Sequence, residues 1–568
     1  MPESKKRKTF ITPQQAEIHA LFVRHRSMSI VARELGLSMI RVREALVQFQ
    51  RNTMRDKGIA PPPLREMLRG DVATRFGIPR TESGGRPAIH FQHDPIVAGK
   101  VADIPNRQDE GFVRVIGPSG HTRRWLITCV EAGALVHRPF WINLRAYAAR
   151  MDAELVVLRL GRTGLVGKGS EDIRPLIRND RMDIGGVVDV AADVRVPLQS
   201  TRPLEGLANR RSAVWTIIGH PVVQLETLAR MRSEGLKVQM TTGAATRPRG
   251  GSGGAWPTQL GAVIVELTAE NAGHCRHITA DPEGDGSFQD LQFKVANGTV
   301  TTRGRVEALT FGDVHHSHLD ADVAATTWGI GSHAATVPLI DLLRPRFMVF
   351  HDLCDFAARN HHETRDHHQR FALMAAGRDC VRSEMRASAE FLANTRRSWG
   401  RSVVVGSNHD DALVHWLRDA DFREDPRNAV FFLEASLALH QRLAKGNCTD
   451  GLFEQVMRRL GSDGLAGIRF LGVGESLQIA GVEHGVHGHQ GSDGKRGSMP
   501  FFERLGIRAT LGHTHRPTTR GGLYCTGVCQ TELRYARGSL TSWAIAHVVT
   551  YSNGARQHLF YNDGRFFA

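Results

Sequence analysis

From residue 308 onward, apolar strand-like runs repeatedly end in short clusters of side chains able to bind metal. Leu309-Thr310-Phe311 leads into Asp313 and His315, Phe347–Phe350 into His351, Asp352 and Asp355, and Val403–Val405 into Asn408, His409 and Asp410. Leu477–Ala480 leads more weakly to His487-Gly488-His489, and Ile507–Leu511 into Gly512-His513-Thr514-His515. In an extended segment, side chains two apart point the same way. Asp313 can thus face one site with His315, and His513 with His515. A carboxylate such as Asp352 can bridge two cations while Asn408 and the imidazoles complete their shells. Two cations ~3.5–4 Å apart lower the pKa of a water between them and brace both oxygens of an in-line displacement at phosphorus.

These clusters need strands whose C-terminal ends meet on one edge of a sheet, where layered α/β folds bind ligands. Asp-x-His, Asp-x-x-Asp, Asn-His-Asp, His-Gly-His and Gly-His-Thr-His, in that order, resemble the calcineurin-like metallophosphoesterase superfamily over about 200 residues, Asp313 to His515. The resemblance implies a four-layer sandwich of two mixed sheets flanked by helices. It implies a first metal on Asp313, His315, Asp352 and His515, and a second on Asp352, Asn408, His487 and His513. His409 matches the general acid, oriented by Asp410. The cofactor implied is a pair of divalent ions, Mn2+ first, with Fe, Zn or Mg as alternatives. His351 and Ser407 stand where the family has glycine, and His484, His487 and His489 compete for the fourth motif, His487 being preferred because it begins the His-Gly-His step. His316, His318, His361, His362, His367 and His368 read as solvated or substrate-facing. More narrowly, Val238–Ala244, Gly261–Glu266 and the glycine-rich Gly491–Gly497 resemble phage DNA-transfer proteins, in which a metallophosphoesterase domain follows an α/β region.

The rest of the chain reads as support for that region. Residues 1–56 form a helix-turn-helix-like module. A short helix from Ser29 ends at Gly36, Ser38 caps a second, and Val42, Ala45, Leu46 and Phe49 share a face, leaving Arg41 and Arg43 to reach DNA. Residues 57–111, with Pro61-Pro62-Pro63, read as a linker or arm. Residues 112–300 read as an α/β domain, with strands at Trp125–Cys129, Leu155–Leu158 and Leu260–Leu267 and helices at Trp141–Arg150 and Val222–Glu234. Gly161–Gly169 lacks the spacing of a phosphate loop. Residues 301–568 form the phosphoesterase domain, and Trp543–Tyr551 and Ala555–Tyr561 form a hairpin around Asn553-Gly554, expected to end the second sheet. The fold class is α/β throughout.

Composition agrees with a globular chain: 41% of the 568 residues are hydrophobic and 23% charged, which excludes collagen, disorder and a disulfide scaffold. Seven cysteines without a Cys-x-x-Cys pair favour a reducing compartment, and Cys525 and Cys529 read as packing thiols. With no apolar run near the ~20 residues a span requires, the expected location is the cytoplasm, that of the host if the chain is viral. The net charge of +15 points to a polyanionic partner. Residues 1–70 alone carry 14 Lys/Arg against 6 Asp/Glu. Of the 28 histidines, 19 lie from Asp313 onward, which matches the metal motifs.

The expected function is a two-metal phosphodiesterase acting on DNA, a nuclease of the phage DNA-transfer type, with DNA as partner and a homo-oligomer left open. Three alternatives stand beside it: a phosphatase or phosphodiesterase for a protein or small molecule, a DNA-binding regulator with a vestigial site, and a His-rich metal-storing or structural protein.

Overall fold

The computed structural model describes residues 11–25, 28–37, 39–57, 113–117, 119–160, 171–210, 213–231, 233–247, 259–280, 284–302, 304–331, 337–360, 366–530 and 540–567. The chain divides into two compact units, Met1–Asn106 and Arg107–Ala568. The linker or arm expected at 57–111 lies, after Lys57, outside the described residues, as do Ser38 and Gly161–Gly169.

In the first unit, helices Pro13–His25, Met28–Glu34 and Met39–Asp56 pack around Ile18, Phe22, Val31, Val42, Leu46 and Val47. The first helix opens on a capping box, in which Thr12 and Gln15 each accept the other's backbone N–H. The second ends at Gly36, whose φ of +63° suits a residue without Cβ. Arg41 is exposed on the third helix, and the side chain of Arg43 lies outside the described residues.

The second unit is α/β, built on mixed sheets. Four adjacent parallel strands, Arg469–Leu471, Arg401–Val405, Phe347–Phe350 and Ala308–Thr310, make up one side of a seven-stranded sheet. Their near-continuous apolar text suits parallel strands covered on both faces. On one face lie helices that include Ala321–Trp328 and Val381–Asn394; the latter buries Val381, Met385, Ser388 and Leu392 at helical spacing. Asp320 caps the former, accepting from the N–H groups of Asp322 and Val323, and Gly329 closes it at φ +73°. The other face packs Ala308, Val349, Val403 and Val405 against Leu477 and Ile479, at the end of an eleven-stranded sheet. The short helix Met499–Arg504 covers that sheet's outer side through Phe502, against Leu511 and Leu523.

The eleven-stranded sheet crosses the boundary drawn at residue 300. Thr518–Arg520 pairs with Leu225–Thr227, so strands from 112–300 and from 301–568 share one hydrogen-bonded ladder. A five-stranded sheet with Leu260–Leu267 and Arg123–Glu131 at its centre packs on the first half of this ladder through Trp125, Ile127, Val263 and Trp215. Helix Arg138–Met151 covers its far side through Phe140, Trp141 and Leu144.

Two expectations change. Val222–Glu234 is no helix: Leu225–Thr227 is a strand antiparallel to Val238–Thr241. Residues 221–225 are buried without a polar face, so ladder pairing on both sides outweighs the helical spacing. The hairpin forms, as Ala546–Thr550 and Arg556–Asn562, but it extends the seven-stranded sheet by pairing with Ala308–Thr310.

Candidate metal centre

The strand ends place the candidate ligands. Past Thr310 and Phe350 the two chains stay side by side, with Val314 N–H donating to His351 O at 3.0 Å and His315 N–H to Asp352 O at 2.7 Å. Asp313 is clamped from the other side, its N–H donating to Gly527 O and its carbonyl accepting from Cys529 N–H. The turn that aims these side chains inward is strained: His315, Asp352, His513 and His515 have φ of +40°, +43°, +67° and +54°. Such left-handed backbone costs roughly 1–3 kcal/mol per non-glycine residue and persists where the surroundings impose it. Gly512 is required by close approach, since a Cβ there would lie 2.4 Å from Asp313 Oδ1 and 3.0 Å from His487 Nδ1.

Asp313, His315, Asp352 and His515 are buried and bring one ligand atom each within 4.8 Å of one another. His515 Nε2 lies 3.1 Å from Asp313 Oδ2, and His315 Nε2 lies 3.5 Å from Asp352 Oδ2. Asp352 also meets His487, whose Nε2 is 3.3 Å from the same oxygen. The rings of His487 and His513 are 5.3 Å apart, as are those of His487 and His489. The rings of His489 and His513 are 6.2 Å apart, so both members of the His-Gly-His step adjoin His513. His484 is engaged elsewhere: its Nδ1 is 3.0 Å from Thr310 Oγ1 and its Nε2 3.5 Å from Thr550 Oγ1.

Among the described residues, Asp313 Oδ1, Asp352 Oδ1, Asn408 Oδ1 and His513 Nε2 are buried without a hydrogen-bond partner, while Asp352 Oδ2 and His487 Nε2 have each other at 3.3 Å. Each such atom costs about 1–3 kcal/mol if left unsatisfied. A concentration of oxygen and imidazole nitrogen donors of this kind is what divalent cations satisfy, and the cluster could hold metal ions.

Electrostatics agree. Burial opposes the charge on Asp352, yet His487 and His409 hold its carboxyl well below the usual range. Burial would lower His487, but Asp352 and Asp313 push it up to about 9. Burial and the neighbouring His487 bring His513 down to about 4 and His489 to about 3.

His409 is buried, and its Nδ1 lies 3.1 Å from the carbonyl oxygen of Asp355 and 3.4 Å from Asp355 Oδ1. The carboxylate beside it is thus Asp355. Asp410 turns away, one oxygen accepting from Cys354 N–H at 3.1 Å. Burial and Asp352 push its carboxyl up to about 8. Asn408 is half-buried between them.

Asp355 is a residue whose role the motifs leave unassigned, although it is the second carboxylate of Asp352-x-x-Asp355. It accepts from His315 Nδ1 at 2.8 Å and faces His318 Nε2 at 3.3 Å. A carboxylate on the far nitrogen of a ligating imidazole fixes its tautomer and orientation. Burial opposes its charge, but the His315 and His318 bonds hold its carboxyl far below the usual range. His318 is therefore bound rather than solvated, and His316 is largely buried against Phe391, 4.9 Å between rings. His361 and His362 lie outside the described residues; His367 and His368 are exposed. His351 Nδ1 lies 3.3 Å from His487 Nδ1, and His547 Nδ1 accepts from Gly312 N–H at 3.0 Å, pinning the loop that carries Asp313. Sequence offers no signal for the part played by His547, 235 residues away from that loop. Cys525 and Cys529 are buried packing thiols, and all seven cysteines are free.

Between Ala357–Asn360, which follows Asp355, and helix Ala412–Asp419, which follows Asp410, lies a cavity of about 360 Å³. Arg370 and Trp416 are among its walls. No described helix is long and apolar enough to cross a membrane.

No protein-family model and no solved structure matches the chain. Protein A1 of Escherichia phage T5 is 31% identical over 468 residues, which are 78% of this chain and 83% of the relative. That match runs through most of both chains, and the protein described here belongs to the family of the phage T5 protein A1.

Proposed function

We propose that the chain is a metal-dependent phosphodiesterase of the calcineurin-like superfamily that cleaves DNA, as a nuclease of the phage DNA-transfer type. The observation that carries this reading is the buried cluster of Asp313, His315, Asp352 and His515 with its unpartnered ligand atoms. Asp313, His315, Asp352 and His515 would hold one cation, and Asp352, Asn408, His487 and His513 a second, with manganese as the first candidate. Two such ions supply an activated water and neutralise charge developing on phosphorus.

The protein's own groups do the remaining work. Burial works against a charged His409, but Asp352 and Asp355 raise its pKa, which favours the protonated imidazole near neutrality. It can then give a proton to the departing sugar oxygen. Asp355 orients both His409 and His315. The adjoining cavity offers room for substrate beyond the scissile phosphate. The excess of basic residues favours a polyanion over a small monoester. Incubation of the pure protein with linear, circular and single-stranded DNA, with and without manganese, tests the reading. Cleavage should require the metal; rapid hydrolysis of a small monoester with none of DNA would overturn it.

A further inference from the structure

The three parallel strands that carry the metal ligands at their C-terminal ends carry arginines where they begin. Ala308, Phe347 and Arg401 stand in register across the sheet. Arg346 N–H donates to Val306 O at 3.0 Å and Arg401 N–H to Arg346 O at 2.9 Å, so the segments entering the strands are held side by side. Here a cavity of about 360 Å³ is lined by Arg305, Arg346, Arg401, Phe347, Ser398 and Trp399. Arg305, Arg346 and Arg401 are all exposed. A fourth arginine, Arg344, sets its guanidinium 5.7 Å from the Trp399 ring centre, and Arg305 Nη2 donates to Trp399 O at 2.9 Å. Among the described residues, the carboxylate paired with this group is Glu307, 3.5 Å from Arg346 Nη1.

Three like charges around one cavity, with Arg344 beside its tryptophan, repel one another, and an anion relieves that repulsion. Guanidinium forks match the paired oxygens of phosphate. We propose that this cavity is a second nucleic-acid site, gripping the phosphate backbone of DNA on the sheet edge opposite the metal centre. It rests on the reading of the substrate as DNA. The strand Arg401–Val405 advances four residue steps, roughly 13 Å at ~3.3 Å per residue, before the chain turns toward Asn408. A duplex reaching both sites therefore spans more than about four steps of 3.4 Å. The site anchors a stretch of DNA away from the one being cut.

The test is binding of a labelled 20-base-pair duplex to the full chain in chelator, by fluorescence anisotropy across a salt series. Each phosphate contact contributes about 0.9 to the slope of log K against log salt. Arg346→Gln with Arg401→Gln, which spares the Arg305 bond and the Arg344 stack, should make the slope shallower by roughly 1.8. Arg346→Lys with Arg401→Lys should restore most of it. An unchanged slope in the glutamine variant overturns the proposal. So does a variant that loses binding to phosphatidylserine vesicles while keeping the DNA slope, because the cavity would then be a lipid site. No cleavage enters this measurement, so failure of manganese-dependent cleavage in the wild type strikes the catalytic reading alone.

Discussion

Replacing Asp355 by Asn separates a positioning role from a ligand role. Asp355 sits 2.8 Å from His315 Nδ1, on the side of the ring away from Asp352 and His515; it groups with His315 and His409 rather than with the four-residue cluster. Its carboxylate demands an N–H at His315 Nδ1, which leaves the Nε2 lone pair facing the cluster. Asparagine keeps the shape and can still accept one bond but loses the charge. A hydrogen bond to a charged partner is worth about 1.5–3 kcal/mol. Outer-shell carboxylates of this kind typically change metal affinity by about 10–100-fold, or roughly 1.4–2.7 kcal/mol. Calorimetric titration of manganese into wild type and Asp355→Asn should show that loss, with the fold intact by circular dichroism. NMR should also show the His315 and His409 rings titrating differently. Affinity within twofold of wild type would refute the orienting role.

Asp352→Ala and Asn408→Ala should abolish manganese-dependent DNA cleavage in protein that still folds, and an active, pure Asp352→Ala would refute the metal assignment. Gly512→Ala forces a methyl against Asp313 and His487, and should lower stability by about 1–3 kcal/mol, read as a drop in Tm. His484, His547 and His558 are buried, each lowered to about 3 mainly by burial. The unfolded chain, titrating near 6.5, binds more protons between those values. Stability should therefore fall as pH drops from about 6.5 toward 3, by up to about 1.4 kcal/mol per pH unit for each histidine; a flat Tm profile between pH 7 and 5 would exclude this. Deleting residues 1–56 should weaken DNA binding more than it slows hydrolysis of a small chromogenic diester, and equal affinity at matched salt would remove those helices from the account.

The metal cluster was legible because each motif is short and sits at the end of its own strand-like run, although residues such as His315 and His515 meet from 200 positions apart. Leu309-Thr310-Phe311 announces the strand that ends beside Asp313 and His315, although the left-handed backbone at His315, rather than an extended two-residue spacing, aims its ring. What stayed hidden depends on distant partners. The apolar stretch from Val222 fits a helix or a strand equally, and only pairing with Val238–Thr241 and Thr518–Arg520 decides for the strand. Asn553-Gly554 marks a hairpin correctly, but nothing local says that it joins Ala308–Thr310. Asp410 looks like the partner of His409 because it is adjacent, whereas the backbone carries it toward Cys354 and brings Asp355 across instead. The helices before residue 57 were readable from Gly36 and the Val42–Leu46 spacing, because a small helical unit packs its own near neighbours.

The ladder shared by Leu225–Thr227 and Thr518–Arg520 has a practical consequence for anyone who trims the protein. Excising residues 301–568 as a minimal fragment would strip Thr518–Arg520 of its neighbour and leave a raw β edge open to any passing strand. It would also discard Thr227, whose hydroxyl donates to Ser542 O at 2.5 Å. The portion that bears the ligands is welded to the portion that precedes it, and the two are best handled as a single article of manufacture.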